Sequence, residues 1–243
     1  MKNTPPPIAL QQSFWNEWNA STREQLVPDV CLEQAEVVAS WLTGIGRRDL
    51  NVIDIGCGAG WLCSRLTPFG QITGTDLSDK VLARAAERVP EARFVAGDFM
   101  ELDFEIAAYD VAVSLEVLSH VADQRAFLQK IAKVLKPGGY LMLGTQNRPA
   151  LERNTVPPPK PGQLRHWVDR KELQQLLEPD FVVQELFSIS PQFNRGFLRI
   201  VNSHRLRRLA ASAGIAPVMA HVRKLEERAW LGWTLMALAS KRV

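Results

Sequence analysis

The sequence predicts a doubly wound α/β fold, and three observations carry that prediction. Between residue 50 and about residue 148, short apolar runs of β character alternate with helix-like stretches, the pattern of βαβ units around a parallel sheet. The first and fourth of those runs, NVIDI and YDVAVS, have mostly apolar interiors, as expected of strands covered on both faces. A glycine-rich turn follows the first run and opens a helix, at the sheet end where open α/β folds hold their ligands.

Taken in order, helices are expected at Phe14–Trp18 and at Val30–Leu42, where Val30, Ala35, Val37, Val38, Trp41 and Leu42 recur beside Glu33 and Glu36. Strands follow at Asn51–Ile55, Gln71–Asp76, Ala92–Gly97, Tyr109–Ser114 and Tyr140–Thr145, with crossover helices at Trp61–Leu66, Asp79–Arg88 and Gln124–Leu135. Residues 153–164 hold four prolines and a glycine and read as a loop. Asp169 then caps a helix, with Glu172 in place to complete a capping box. FVVQELFSI and WTLMALAS read as two more strands, an antiparallel pair beside strand five that completes seven. The insertion between them, about 191–232, reads as helical and as a roof over the acceptor side.

Composition fits a soluble globular chain: 46% of the 243 residues are apolar and 23% charged. No apolar run reaches the roughly 18–20 residues of a membrane span, and MKNTPPPIALQQSFW lacks the features of a signal peptide. Cys31, Cys57 and Cys63 form no CxxC and no cluster of metal-ligand spacing, so no metal is expected and a reducing cytoplasm is the natural compartment. Charge is uneven: residues 1–189 carry 19 basic side chains against 24 acidic, and residues 190–243 carry 10 against 2. Such a basic segment serves either as a solvated helical face or as an attractor of anionic substrates, phosphate or membrane headgroups.

The chemistry is concentrated in V52-I-D-I-G-C-G-A-G60-W-L. Glycines at 56, 58 and 60 let the backbone turn tightly against a ligand, so a nucleotide cofactor is expected at the end of the first strand. Trp61 stands where a dinucleotide GxGxxG pattern needs its third glycine, and no Gly-Lys-Ser/Thr follows to make a phosphate loop. The second strand ends in Asp76, a carboxylate able to accept from both ribose hydroxyls. After the third strand, Asp98 is able to accept from an adenine amino group while Phe99 packs on the ring; the alternative for Asp98 is a helix cap. SLEVLSHV continues the fourth strand and LKPGG precedes the fifth.

With these motifs in this order, the chain resembles the class I S-adenosylmethionine-dependent methyltransferases, in the small-molecule branch that includes ubiquinone- and menaquinone-biosynthesis enzymes. The resemblance covers about residues 50–148. It implies a seven-stranded, mostly parallel Rossmann-like sheet with an antiparallel last strand, N-terminal helices, and a helical insertion between the last two strands. It implies one domain over 1–243: a helical cover at 1–45, a cofactor-binding core at 50–148, and a substrate side at 149–243. It also implies that Asp54 and the turn of Gly56, Cys57, Gly58 and Gly60 hold the methionine end of the cofactor. Asp76 then holds the ribose, Leu77 flanks the adenine, Asp98 and Phe99 contact it, and Leu115 and Glu116 close the site. The residue-level alternative for Asp54 is a cap on the glycine turn.

Methyl transfer needs alignment and exclusion of water, and a base only where the acceptor must lose a proton. His120, just past the fourth strand, is the candidate base, since an unperturbed imidazole titrates near pH 6.5; packing in its helix is the alternative. Trp15, with Trp18, is expected to cover the cofactor. His166, Trp167, Arg195 and Arg199 are the candidates for binding a small, anionic acceptor, with Arg205, Arg207 and Arg208 as further cations. Three other readings compete, the third of them a dehydrogenase, which the Trp61 mismatch disfavours. A nucleic-acid methyltransferase would use the basic segment, but the fourth strand ends in SLEV rather than an Asn/Asp-Pro-Pro-aromatic motif, and no nucleic-acid partner is expected. A non-catalytic cofactor-binding subunit would keep the same glycine turn.

Overall fold

Prolines set the chain's approach to both N-terminal helices. Pro7 precedes α1 (Ile8–Trp18) and Pro28 precedes α2 (Asp29–Ile45), each supplying a fixed φ at a position where no helical N–H is missed. The computed structural model describes residues 5–196, 199 and 216–243. Helix α1 starts six residues before the expected Phe14, because Pro7 starts it rather than an apolar stripe; none of its residues is fully buried. It continues into a π-helical turn, Asn19–Arg23. Helix α2 is amphipathic as expected and buries Cys31, Gln34, Ala35, Val38, Trp41 and Leu42.

The sheet has seven strands: β1 (Leu50–Ile55), β2 (Gly70–Asp76), β3 (Arg93–Ala96), β4 (Tyr109–Leu115), β5 (Leu135–Gln146), β6 (Phe181–Ile189) and β7 (Thr234–Lys241). Their order is β3-β2-β1-β4-β5-β7-β6, parallel except that β7 runs antiparallel to both β5 and β6. Helices α3 (Cys63–Leu66), α4 (Asp79–Arg88) and α5 (Gln124–Val134) make the crossovers, and α6 (Arg148–Glu152), α7 (Arg170–Leu177) and α8 (Ala216–Arg228) flank the later strands. The expected Asp169–Glu172 capping box is present on α7, and Asp123 caps α5 through Ala126 N–H. Strand β5 is longer than expected. Leu135 pairs with Tyr109, and residues 136–139 bulge before Tyr140 resumes opposite Val111.

Alternate residues of the central strands feed two cores. Ile53, Ile55, Leu141 and Leu143 pack with Phe127, Ile131 and Leu173 on the α5–α7 face. Val52, Val111, Val113 and Met142 pack with Val38, Leu42 and Leu66 on the α2 face. This two-sided burial is why the strands read as apolar throughout. Strand order reverses between β1 and β4, so their carboxyl ends diverge into a crevice. Among the described residues no helix is long and apolar enough to cross a membrane.

Candidate active site

The floor of that crevice is the turn after β1. Gly56 N–H donates to Thr75 O at 2.7 Å, and Gly60 N–H closes the turn on Cys57 O at 3.0 Å. Gly56 has φ +76, and a Cβ there would lie 2.1 Å from Val117 Cγ2, so only glycine leaves this wall open. Asp76, at the end of β2, is held rigid: Oδ2 accepts from Gly58 N–H at 2.8 Å and Oδ1 from Ser78 N–H at 2.7 Å. Each oxygen keeps a further lone pair, so the carboxylate remains a bidentate acceptor facing the cavity. The cavity beyond has a volume of about 410 Å³, within the range of small-molecule sites.

Asp98 and Phe99 form the next wall. Asp98 Oδ1 accepts from Met100 N–H at 2.9 Å, so the residue both caps its turn and lines the cavity. Phe99 is anchored edge-on by Phe127 with centroids 5.5 Å apart. At the end of β4, Glu116 adopts φ +62 and is pinned by its N–H to Gly144 O at 2.8 Å. Its Oε1 accepts from Gln34 Nε2 at 2.6 Å and Thr234 Oγ1 at 2.8 Å. Burial raises the Glu116 pKa, and the hydrogen bonds from Thr234 and Gln34 oppose that rise.

Beneath the glycine turn lies a pocket of about 40 Å³, shared by Asp54, Cys57, Arg23 and Glu116. Asp54 is buried, and among the described residues its Oδ2 accepts from the Cys63 thiol at 3.4 Å. Burial pushes its carboxyl up to about 7, against the thiol's hydrogen bond and with the Asp76 charge adding to the rise. Cys57 sits beside it, its thiol also pushed up by its Cys63 contact and by burial.

His120 ends a short 3₁₀ turn, Leu118–His120, and lines the cavity. His120 is partly buried, and desolvation lowers its pKa to about 4, against the Leu164 carbonyl that accepts from its ring; the nearby Arg165 charge lowers it further. The sequence expectation of an imidazole titrating near neutrality is therefore corrected.

The roof comes from α1 and the π turn. Trp15 packs edge-on to His120 at 4.7 Å and to Trp18 at 5.5 Å, so both tryptophans cover the cavity. Asn16 Nδ2 donates to Asp79 Oδ1 at 2.8 Å and Asn19 Nδ2 to Ser78 Oγ at 3.0 Å, tying the roof to the start of α4. Arg23 faces the cavity with its cation 5.0 Å from the Trp18 ring and donates to Cys31 Sγ at 2.6 Å. Asn19, Arg23, Gln146 and Gln163 line the cavity without having been singled out from sequence. Asn19 and Arg23 lie in the π turn, Gln146 ends β5 and Gln163 sits in the proline-rich loop, and no spacing rule selects an amide or a cation at such places.

Trp15, Gly56, Gly58, Asp76, Leu77, Asp98, Phe99, Leu115, Glu116 and His120 thus meet in one cavity, with Asp54 and Cys57 in the adjoining pocket. Five residues fall elsewhere. A Cβ on Gly60 would lie 3.0 Å from the Ala85 Cβ, so that glycine serves the packing of α4 and not the cavity wall. His166 is exposed and bonds through its backbone to Ser119 and Gln124, and Trp167 stacks with Arg165 at 5.2 Å. Arg195 donates to the carbonyls of Glu152 and Arg153 at the end of α6, and Arg199 is exposed. Helix α8 does not line the cavity either, since it is turned toward α2 and β6 by Arg223–Glu33 and by Ser188 Oγ donating to Glu227 O. Arg205, Arg207 and Arg208 lie outside the described residues.

Residues 53–143 match the family described as "Methyltransferase domain". The chain is similar to a ubiquinone biosynthesis O-methyltransferase of Bradyrhizobium sp. (strain ORS 278), 36% identical over 109 residues, which span 41% of each chain. The chain thus matches about two fifths of that relative's length. In fold it resembles the N-methyltransferase NodS of Bradyrhizobium japonicum, solved with S-adenosyl-L-homocysteine (TM-score 0.65, 16% identity, covering 95% of this chain and 98% of that one). It also resembles an S-adenosylmethionine-dependent methyltransferase of Mesorhizobium loti (TM-score 0.59, 20% identity, 83% and 97%). With its glycine turn, its acid at the end of β2 and its sheet order, the chain carries a methyltransferase domain over residues 53–143 and is similar in sequence and fold to S-adenosylmethionine-dependent methyltransferases.

Proposed function

We propose that this protein transfers a methyl group to a hydroxyl of a small-molecule acceptor. The observation that carries this reading is the shared cavity of Asp76, Asp98 and His120, cofactor acids on one side and a neutral imidazole on the other. When bound, S-adenosylmethionine supplies a methyl group activated by a sulfonium leaving group. Asp76 holds the ribose, Asp98, Leu77 and Phe99 hold the adenine, and the turn at Gly56–Gly58 with Asp54, Leu115 and Glu116 encloses the methionine end. Arg23, which lines both the cavity and the small pocket, has the charge to meet a carboxylate there.

His120 donates through Nδ1 to Leu164 O, so Nε2 carries the lone pair and accepts a hydrogen bond from the acceptor hydroxyl. Transfer of that proton to His120 Nε2 leaves an oxygen nucleophile and an imidazolium, and the tryptophan roof keeps water from competing. Similarity to an O-methyltransferase supports the choice of oxygen. Its placement in quinone biosynthesis, in the cytoplasm, is the finer proposal.

The test is calorimetric titration with S-adenosylmethionine, its demethylated product and NAD, followed by an acceptor panel of phenols, amines and activated carbon acids read by release of the demethylated product. Micromolar binding of the sulfonium with turnover on a hydroxyl is expected. Equal affinity for NAD would sink the cofactor assignment. Turnover confined to amines or carbon acids would sink the acceptor assignment.

A further inference from the structure

We propose that the outer face of α8 docks the protein on an anionic lipid bilayer surface. The helix presents three exposed ridges spaced seven residues apart: Val218 with Leu225, His221 with Arg228, and Pro217 with Lys224. Val218 is 58% and Leu225 49% exposed, an apolar ridge set directly beside a basic one. Residues 190–243 contain two acids against ten basic residues, and both acids lie on α8. Neither reaches the outer face: Glu226 is buried, and Glu227 is paired with Arg223, which also binds Glu33 of α2. The exposed side of the helix therefore carries cations and apolar groups and no carboxylate. Among the described residues, Lys224 and Arg228 have no ion-pair partner.

That arrangement matches an interfacial helix, whose apolar ridge enters the headgroup boundary while flanking cations meet phosphate charge. Two side chains give a small apolar area, so attachment needs both contributions and weakens with salt. Charge complementarity selects the bilayer. A solvated face has no reason to withdraw both of the segment's acids, and a nucleic-acid surface has no use for Val218 and Leu225. The inference does not depend on the methyl-transfer reading.

The experiment is flotation of the full chain with vesicles of phosphatidylcholine alone or with 30% phosphatidylglycerol (about that fraction gives a strongly anionic surface), at low and physiological salt. Expected is co-flotation with the anionic vesicles only, reduced by salt. Val218→Ser with Leu225→Ser should lower the bound fraction roughly tenfold, and Lys224→Ser with Arg228→Ser should do likewise. Ile106→Ser, at an exposed apolar site on the loop before β4, should leave binding unchanged. Circular dichroism and thermal melting verify that each variant is folded. The proposal is overturned by equal binding to neutral vesicles, by no binding at low salt, or by parental binding of the Val218/Leu225 variant. Concentration-dependent dimerisation lost in that variant would assign the ridge to a second copy and overturn it as well. So would tighter binding to single-stranded RNA that needs only Lys224 and Arg228.

Discussion

His120 Nδ1 lies 2.7 Å from the carbonyl oxygen of Leu164, joining the end of β4 to the proline-rich loop that follows β5 and α6. A carbonyl only accepts, so the ring nitrogen must donate, and this fixes the tautomer with Nε2 as the free acceptor. The same bond holds the imidazole beneath Trp15, across the cavity from Asp76 and Asp98.

If His120 is the base, His120→Gln should slow turnover at least a hundredfold while cofactor affinity stays within about twofold. The lowered pKa of about 4 changes the expected pH profile. Above it the imidazole is already neutral, so kcat should show no histidine ionisation between pH 6 and 8. Linkage adds a stability signature. A histidine whose folded pKa is depressed contributes stability that is present above about pH 6.5 and lost as pH falls toward 4. The parent should thus lose stability over that window relative to the Gln variant, measured by denaturant unfolding. A rate ionisation near pH 6.5 that vanishes in the variant would contradict the buried environment.

Asp76→Ala should weaken cofactor binding by about 3 kcal/mol, since two charge-assisted hydrogen bonds to the ribose are lost. It also strips Gly58 N–H and Ser78 N–H of their acceptor, so a small loss of thermal stability is expected. Asp76→Asn, which retains one carbonyl oxygen, should be intermediate. Parental affinity in Asp76→Ala by calorimetry would remove the ribose role.

The doubly wound sheet was legible because its strands are buried on both faces, which leaves runs such as NVIDI with little polar interruption. The glycine turn and Asp76 were legible because each sits at a fixed place after a strand. Gly60 falls outside the cavity lining, and a glycine required by helix packing looks identical in sequence to one required by a ligand. Arg195 was misread because a basic composition does not say which cation is consumed by backbone carbonyls, here those closing α6. Arg23 and Asn19 were invisible because the π turn that aims them has no sequence pattern.

The glycine distinction is itself testable. Gly56→Ala places a side chain at φ +76 and into Val117, and should cost well over 2 kcal/mol of stability and abolish cofactor binding. Gly60→Ala meets Ala85 at 3.0 Å with φ +72, and should cost about 1–3 kcal/mol while the residual folded protein binds cofactor within a few-fold of the parent. Thermal melting paired with calorimetry separates the two. Equal loss of affinity in both would return Gly60 to the ligand.

Asp54 couples stability to pH in the direction opposite to that of a salt-bridged carboxylate. Its folded pKa of about 7 lies above the ordinary carboxylate value of 3.8, because burial disfavours the charged form. A carboxyl raised in the folded state binds its proton more tightly there than in the unfolded chain. Its contribution to stability is therefore complete below about pH 3.8 and is lost as pH rises through 7. Asp54→Asn removes that titration, so the variant should gain on the parent between pH 4 and 8, by an amount on the order of 4 kcal/mol. Binding should run the opposite way. A cationic cofactor group bound beside Asp54, as proposed, would favour the carboxylate, so binding should expel the proton and affinity should rise with pH until about 7. Calorimetry in two buffers of different ionisation heat measures this directly: at pH 6 a substantial fraction of a proton should leave per cofactor bound, and none should leave in Asp54→Asn. Proton release that persists in the variant would place the coupling on another group. A parent that binds equally well at pH 5.5 and 8, with no proton released, would mean that the cofactor's charge does not reach Asp54.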